Sequence, residues 1–348
     1  MSEADNHRRW DPSARGVYEV WYTTWNHPQT GQGFWLRYIT EAPTPGSGGA
    51  PPYGEAPRGE LWFARFDPRS PERTFGIHKR FRNELVSSTE GPFELTIAGC
   101  KLGHDHSFGE LAGGGHDVRW DLRWEPAPHT LRQYMDVMYA RGGLPETTVH
   151  SPNPRVPLTG TLLVDGEELV FDRAVAGQTH VWGRKHAYSW TWGRCADFTG
   201  APDGLVEILG ARIHRRGITL PTLFMLSLDL DGEHHRLNKA RHLAVNRATW
   251  QTQRVAFSAQ SATLKIEGEM TCTPEQMVNA PYLDPDGTEV FCANTEIGDA
   301  KLVISRRSPL TPWRWREHRR LDGRGRAHFE VGGRVRDPSV TRPHALVT

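Results

Sequence analysis

Lysine and cysteine are scarce in this chain, and long apolar runs are missing. The four cysteines, Cys100, Cys195, Cys272 and Cys292, stand far apart with no C-x-x-C pair. That spacing speaks against a disulfide framework or a zinc knuckle and for reduced, mostly buried thiols in a cytoplasmic protein. The longest apolar stretch, residues 218–228, is interrupted by Pro221 and is far too short to cross a bilayer. The opening MSEADNHRRWDPS carries no apolar run, so neither a secretory signal nor stable membrane insertion is expected. An excess of one charge is lacking too. Lys and Arg total 42 against 41 Asp and Glu, a formal net charge of +1, which offers no general electrostatic reason for a nucleic-acid partner. G-x-S-x-G, P-loop, helix-opening G-x-G-x-x-G and H-E-x-x-H motifs are all absent. The common hydrolase, nucleotide and zinc-protease chemistries are thereby disfavoured. Acid–base chemistry, which needs only positioned side chains, is left open.

What is present reads as strands. Glycine (35) and proline (25) punctuate the chain at short intervals and leave little room for helices. Between them run segments of period-two alternation, clearest in HDVRWDLRW, where Val118, Trp120, Leu122 and Trp124 face one way and Asp117, Arg119, Asp121 and Arg123 the other. Asp-Gly pairs at 165–166 and 231–232 supply turns. Only LRQYMDVMYA, 131–140, predicts a helix of useful length. The proline-rich stretches 41–57 and 146–157 predict exposed loops. Two strand-rich halves flank residues 180–200, so the expected fold is all-β, two antiparallel β-barrels packed together over 11–183 and 184–348.

Several histidines and tryptophans invite a functional reading. His104 and His106 share a side at strand spacing, but a metal site would need a third ligand such as His116 or Asp121, and a polar hairpin is the plainer account. No metal and no cofactor is expected. Trp313 and Trp315 among arginines read as arginine stacking on tryptophan at a barrel edge. Asp121 is a surface ion-pair partner of Arg119 or Arg123, or, if its face lines the barrel, an acid beside Trp120.

The densest stretch is GQTHVWGRKHAYSWTWG, 177–193. As strands it puts His180 and Trp182 on one face, and Trp190 and Trp192 on another, with Tyr188 at the start of the second strand. Such indoles can wall a pocket for a lipophilic ligand and face cationic character, while the histidine donates or accepts a proton. The alternative is a tryptophan-rich core whose His180 is satisfied by a backbone carbonyl.

This H-x-W-G…W-x-W-G segment resembles the carotenoid 1,2-hydratase (hydroxyneurosporene synthase) and tocopherol cyclase-like superfamily, and more distantly the lipocalin-like Diels–Alderases. WYTTWNHPQTGQGFWLRY, HDVRWDLRWEP and GTLLVDGEELVFDRAVAGQTHVWG carry the likeness elsewhere. The resemblance implies two lipocalin-like (calycin) barrels with a hydrophobic pocket in or between them. It also implies chemistry without a redox cofactor on a lipophilic, terpenoid or polyketide-like substrate. His180 and Trp182 carry over as pocket residues. The family's downstream Tyr-x-Asp is not kept, and Glu207 is the acid within reach. The expectation is a cyclase, isomerase or hydratase using His180 or Glu207, with Trp182, Trp190 and Trp192 shaping the pocket. The competing expectation is a non-catalytic carrier of a hydrophobic small molecule, for which a titratable side chain in the pocket serves no purpose.

Overall fold

The computed structural model describes residues 3–139, 145–215, 218–308, 310–311 and 313–348. Two long sheets dominate it, each curled around its own apolar core. The first sheet joins the strands between Val17 and Gly183, and its central run is Arg58–Phe66, Gly33–Ala42, Val17–Asn26, Glu167–Gly183 and Thr147–Val164. The second joins the strands from Ser189 to Gly333, apart from His214–Arg215 and Ile218–Thr219, which pair only with each other, and centres on Ala201–Arg212, Ser189–Phe198, Arg316–Gly333 and Glu289–Arg306. Pairing within both is antiparallel except at the C-terminus. There His344–Leu346 leaves the second half and adds a parallel edge strand beside Phe75–Arg82 of the first sheet.

Alternation explains which face each strand buries. His116–Trp124 is apolar inward and charged outward, so Trp120 and Leu122 join the first core while Asp117, Arg119, Asp121 and Arg123 meet solvent. The strands at the junction have no solvent face. Val17–Asn26 sends Trp21 and Trp25 into the first core, and Tyr18 and Val20 into a third cluster that also holds Trp190, Val278 and Tyr282. The two barrels are thus joined by an apolar seam, and every residue of Gly33–Ala42 is buried.

Two expectations fail. Residues 131–139 form no long helix: Leu131–Arg132 pairs as a strand and Asp136–Tyr139 makes one 3-10 turn, residue 140 lying outside the described residues. Residues 146–157 are no exposed loop, because Thr147–Val164 is a largely buried strand. Register shifts between His150 and Asn153 and between Asn153 and Val156 accommodate Pro152 and Pro154, which cannot donate to a ladder. All four cysteines are free, and Cys100, Cys195 and Cys292 are buried. Among the described residues no helix is long and apolar enough to cross a membrane.

Candidate functional site

A cavity of about 90 Å³ opens within the seam between the barrels. The first sheet contributes the outward residues Tyr22, Trp35, Arg37, Val149 and Val181. The second contributes Trp190, Trp192, Leu209, Tyr282 and Glu330. Tyr134 closes one side from the irregular stretch between Arg132 and Asp136. Most of this wall is aromatic or aliphatic, and the Tyr22 and Trp192 rings meet edge to face at 5.5 Å.

Charge stands inside this apolar wall. The Arg37 guanidinium lies 4.4 Å from the centre of the Tyr282 ring and 5.4 Å from that of Trp35, and its Nε has no hydrogen-bond partner. Burial works against its charge, but Tyr282 and Glu330 hold its pKa above the ordinary value, so it stays a cation. Glu330 accepts a 2.7 Å hydrogen bond from Trp190 Nε1. Burial pushes the Tyr22 and Tyr282 hydroxyls well above the usual phenol range, so both keep their protons. The Tyr282 hydroxyl has no partner of good geometry, its neighbour being the Cys292 thiol. A cation, a carboxyl group and an uncommitted O–H donor therefore face one largely apolar space, where hydrogen bonds and charges act more strongly than in bulk water.

Glu207 stands behind Trp192 rather than on the cavity wall. Its Oε1 accepts from Gln133 Nε2 at 2.6 Å, Ser151 Oγ at 3.0 Å and Trp192 Nε1 at 3.0 Å, while Oε2 has no partner. The same tryptophan thus lines the void and fixes the carboxyl.

His180 lies elsewhere. It sits on the same strand as Val181, and while Val181 faces the seam, His180 turns to the interior side of the first barrel and stacks on Trp21 at 4.6 Å. Its Nδ1 donates to the Asp5 backbone carbonyl at 2.7 Å, and its Nε2 is 2.8 Å from Glu19 Oε1. Burial pushes the Glu19 carboxyl up to about 8 and the His180 imidazole down to about 3. The pair is therefore uncharged at neutral pH, with the Glu19 O–H donating to Nε2. A histidine satisfied by a backbone carbonyl is the plainer of the two sequence expectations.

The structure divides the remaining candidates. Trp190 and Trp192 share the cavity. Trp182 turns with His180 and lies 5.0 Å from it ring to ring. Trp120 is in the first core, its Nε1 donating to Ser107 Oγ at 3.0 Å. Tyr188 is exposed, against His214. Asp121 is exposed and lies 3.6 Å from Arg123, so its face does not line the barrel. His104 meets Asn6, His106 meets Asp105 and His116 meets Asp165, which leaves them no common ligand space. Among the described residues the trio close enough for a metal is His129, Asp229 and His234, and Arg236 already pairs with Asp229 there. Arg307 stacks on Trp315 at 4.2 Å.

Sequence reasoning missed Arg37, Tyr282 and Glu330. One signal was available for Arg37: a lone arginine inside GFWLRYIT, a segment otherwise too apolar to have a solvent face.

Fold and cavity define a protein of two lipocalin-like β-barrels with an aromatic pocket at their junction. A profile described as tocopherol cyclase-like matches residues 15–333, and the chain belongs to that family. Among solved structures, kievitone hydratase from Nectria haematococca is similar at a TM-score of 0.54 and 11% identity, over 96% of this chain and 92% of that one. CghA in complex with Sch210972 is similar at a TM-score of 0.51 and 11% identity, over 92% and 88%. At such identities the likeness is one of fold. No curated protein sequence matches the chain.

Proposed function

We propose that the protein is a cyclase or hydratase for a lipophilic, carbonyl-bearing small molecule, working in the cavity between the barrels without a redox cofactor. The observation that carries this reading is the placement of Arg37 and Glu330, with His186 beside them, on the wall of a mainly aromatic and aliphatic cavity. A carrier gains nothing from a buried cation set beside a half-buried carboxyl group, since desolvating the cation costs several kcal/mol. An enzyme gains electrostatic stabilisation where charge develops. In this reading the Tyr282 hydroxyl and Arg37 polarise a substrate carbonyl, and Glu330 moves the proton. Trp190 and Trp192 hold one conformer of the substrate, so that ordering on binding becomes reactive geometry. The family and the hydratase among the structural neighbours agree with this class of reaction.

The void is smaller than the roughly 300 Å³ or more of a drug-sized site, so substrate entry requires the wall to yield. Tyr134, held outside regular structure, is the wall residue best able to do so.

The test compares lipophilic metabolites of the native host with and without the gene by mass spectrometry, complementing with wild type, Glu330→Gln or Arg37→Met. A precursor accumulating at the product's mass means ring closure or isomerisation, and one lighter by a water means hydration. Loss of a general acid–base group typically costs about a hundred- to ten-thousand-fold in rate. Both variants are therefore expected to accumulate precursor while folding normally. Full activity in both would remove the cavity charges from the mechanism. A deletion that alters abundance but no chemical structure would favour the carrier.

A further inference from the structure

A second cavity, of about 290 Å³, opens at one end of the second barrel. The strand register builds it. Phe291, Gly333, Ser189 and Arg212 are cross-strand neighbours in one row, and Asn279, Ala293, Val331, Thr191 and Gly210 form the next row inward. Residues directly opposite one another share a face, and this face carries Ala293 and Val331 to the second core. Trp190 and its neighbour Gly332 alternate to the other face, toward the seam. Glycine at 210 and 333 and alanine at 293 withhold the bulk that would otherwise fill the barrel end. A Cβ at Gly333 would meet nothing nearer than 3.7 Å. The Trp250 indole packs over Gly210, and its Nε1 donates to Ser189 Oγ at 2.9 Å.

Two polar side chains on this wall are uncommitted. The half-buried Arg212 guanidinium lies 4.3 Å from the centre of the Trp250 ring and makes no hydrogen bond or ion pair among the described residues. Asn279 is 4% exposed, and its Oδ1 has no partner. The other charges of the wall are engaged. Arg334 donates to Asp284 Oδ2 at 3.1 Å and to the His186 carbonyl at 3.0 Å. Asp337 Oδ1 accepts from the Ser339 N–H at 2.9 Å and its hydroxyl at 2.7 Å. An arginine held against an indole keeps its fork of donors for a carboxylate. Native structures rarely leave a buried acceptor unmet, and a ligand N–H or O–H would satisfy Asn279. Mouths of β-barrels are places where small ligands bind, and this volume approaches the roughly 300 Å³ at which such sites begin.

We infer that the open end of the second barrel is a binding site for a small aromatic carboxylic acid. Its carboxylate meets Arg212, its ring lies between Trp250 and Phe291, and a ring N–H or O–H donates to Asn279 Oδ1. Asp337 on the same wall repels a multiply charged anion, which is why the ligand is a monocarboxylate rather than a phosphate. This site is independent of the reaction proposed for the seam, from which the strands bearing Trp190 and Gly332 separate it.

The experiment titrates the full chain by calorimetry with three probes: indole-3-propionate, its neutral amide, and 3-(1-naphthyl)propionate, which lacks the ring N–H. Indole-3-propionate is expected to bind saturably and to shift the Trp250 indole N–H resonance. The amide and the naphthyl acid should each bind about tenfold more weakly or worse, since each forgoes one hydrogen-bonded contact. Arg212→Met should abolish the preference for acid over amide, and Asn279→Ala the preference for the indole over the naphthyl acid. Gly333→Leu fills the cavity and should abolish binding of all three. Equal affinity of acid and amide, or of the two acids, for the wild type would overturn the inference. So would an acid preference that survives Arg212→Met, or no binding of indole-3-propionate at millimolar concentration. A shift of the Trp190 resonance with Trp250 unmoved would put the probe in the seam and overturn it as well.

Discussion

Glu19→Gln separates an uncharged Glu19–His180 pair from an ordinary salt bridge. Burial moves Glu19 from 4.5 up to about 8, so the folded protein holds this proton more tightly than the unfolded chain does. A group raised in this way contributes stability that is fully present below pH 4.5 and is lost as pH climbs through 8. Each tenfold change in proton affinity is worth about 1.4 kcal/mol, so the full loss approaches about 5 kcal/mol by pH 9. His180 works in the opposite direction. Its pKa falls from 6.5 to about 3, so its contribution is present above 6.5 and disappears as pH drops toward 3. Together they place the pair's best range between about pH 4.5 and 6.5.

Glutamine keeps only part of the geometry of the protonated acid, because the Arg9 N–H and His180 Nε2 both meet Glu19 Oε1: an amide nitrogen there donates to His180 but cannot accept from Arg9. It cannot ionise. Urea unfolding followed by tryptophan fluorescence at pH 5, 7 and 9 should show the variant at its weakest relative to wild type at pH 5, by about 1–3 kcal/mol for the one buried contact it cannot satisfy. The variant should then gain steadily on wild type, by up to about 5 kcal/mol at pH 9. Other titrating groups, such as the buried Glu41, are common to both proteins and cancel in the difference. Parallel pH profiles would refute the reasoning and return the pair to a charged salt bridge.

Three further outcomes follow from the same geometry. His180→Ala empties a packed position and leaves Glu19 without its imidazole, so the protein should lose about 2–4 kcal/mol in urea unfolding; a large loss of turnover at unchanged stability would instead restore His180 to the chemistry. Asp121→Ala, at an exposed ion pair, should shift stability by less than about 0.5 kcal/mol and leave metabolite profiles unchanged. A Cβ at Gly332 would overlap the Trp190 ring, so Gly332→Ala should displace that indole and break its bond to Glu330; in spectra of the folded protein the Trp190 indole N–H should shift while signals of the first barrel stay in place.

The β class was legible because alternation is a local property, and the limits of that legibility can be named residue by residue. In HDVRWDLRW one face is charged, and the exposed position of Asp121 follows from its own strand. SWTWGRCADF and VAGQTHVWG have no such face, since both sides of each strand are buried. Their period still shows that His180 pairs with Trp182, and Trp190 with Trp192. It cannot show that the first pair turns into a barrel while the second turns to the seam. Yet the sign of that choice decides which residues share a site. Pro152 and Pro154 misled for a related reason: proline marks the end of regular pairing, and here the pairing resumes past two register shifts. The partner of His180 was beyond any local rule. Asp5 lies far away along the chain and offers a backbone oxygen, which every residue possesses and no motif records. A histidine beside tryptophans therefore has no readable role until the surrounding fold shows whether its ring nitrogens are already engaged. Arg37 is the converse case, because a strand that buries every residue must supply a local reason to keep a cation, and Tyr282 and Glu330 supply it.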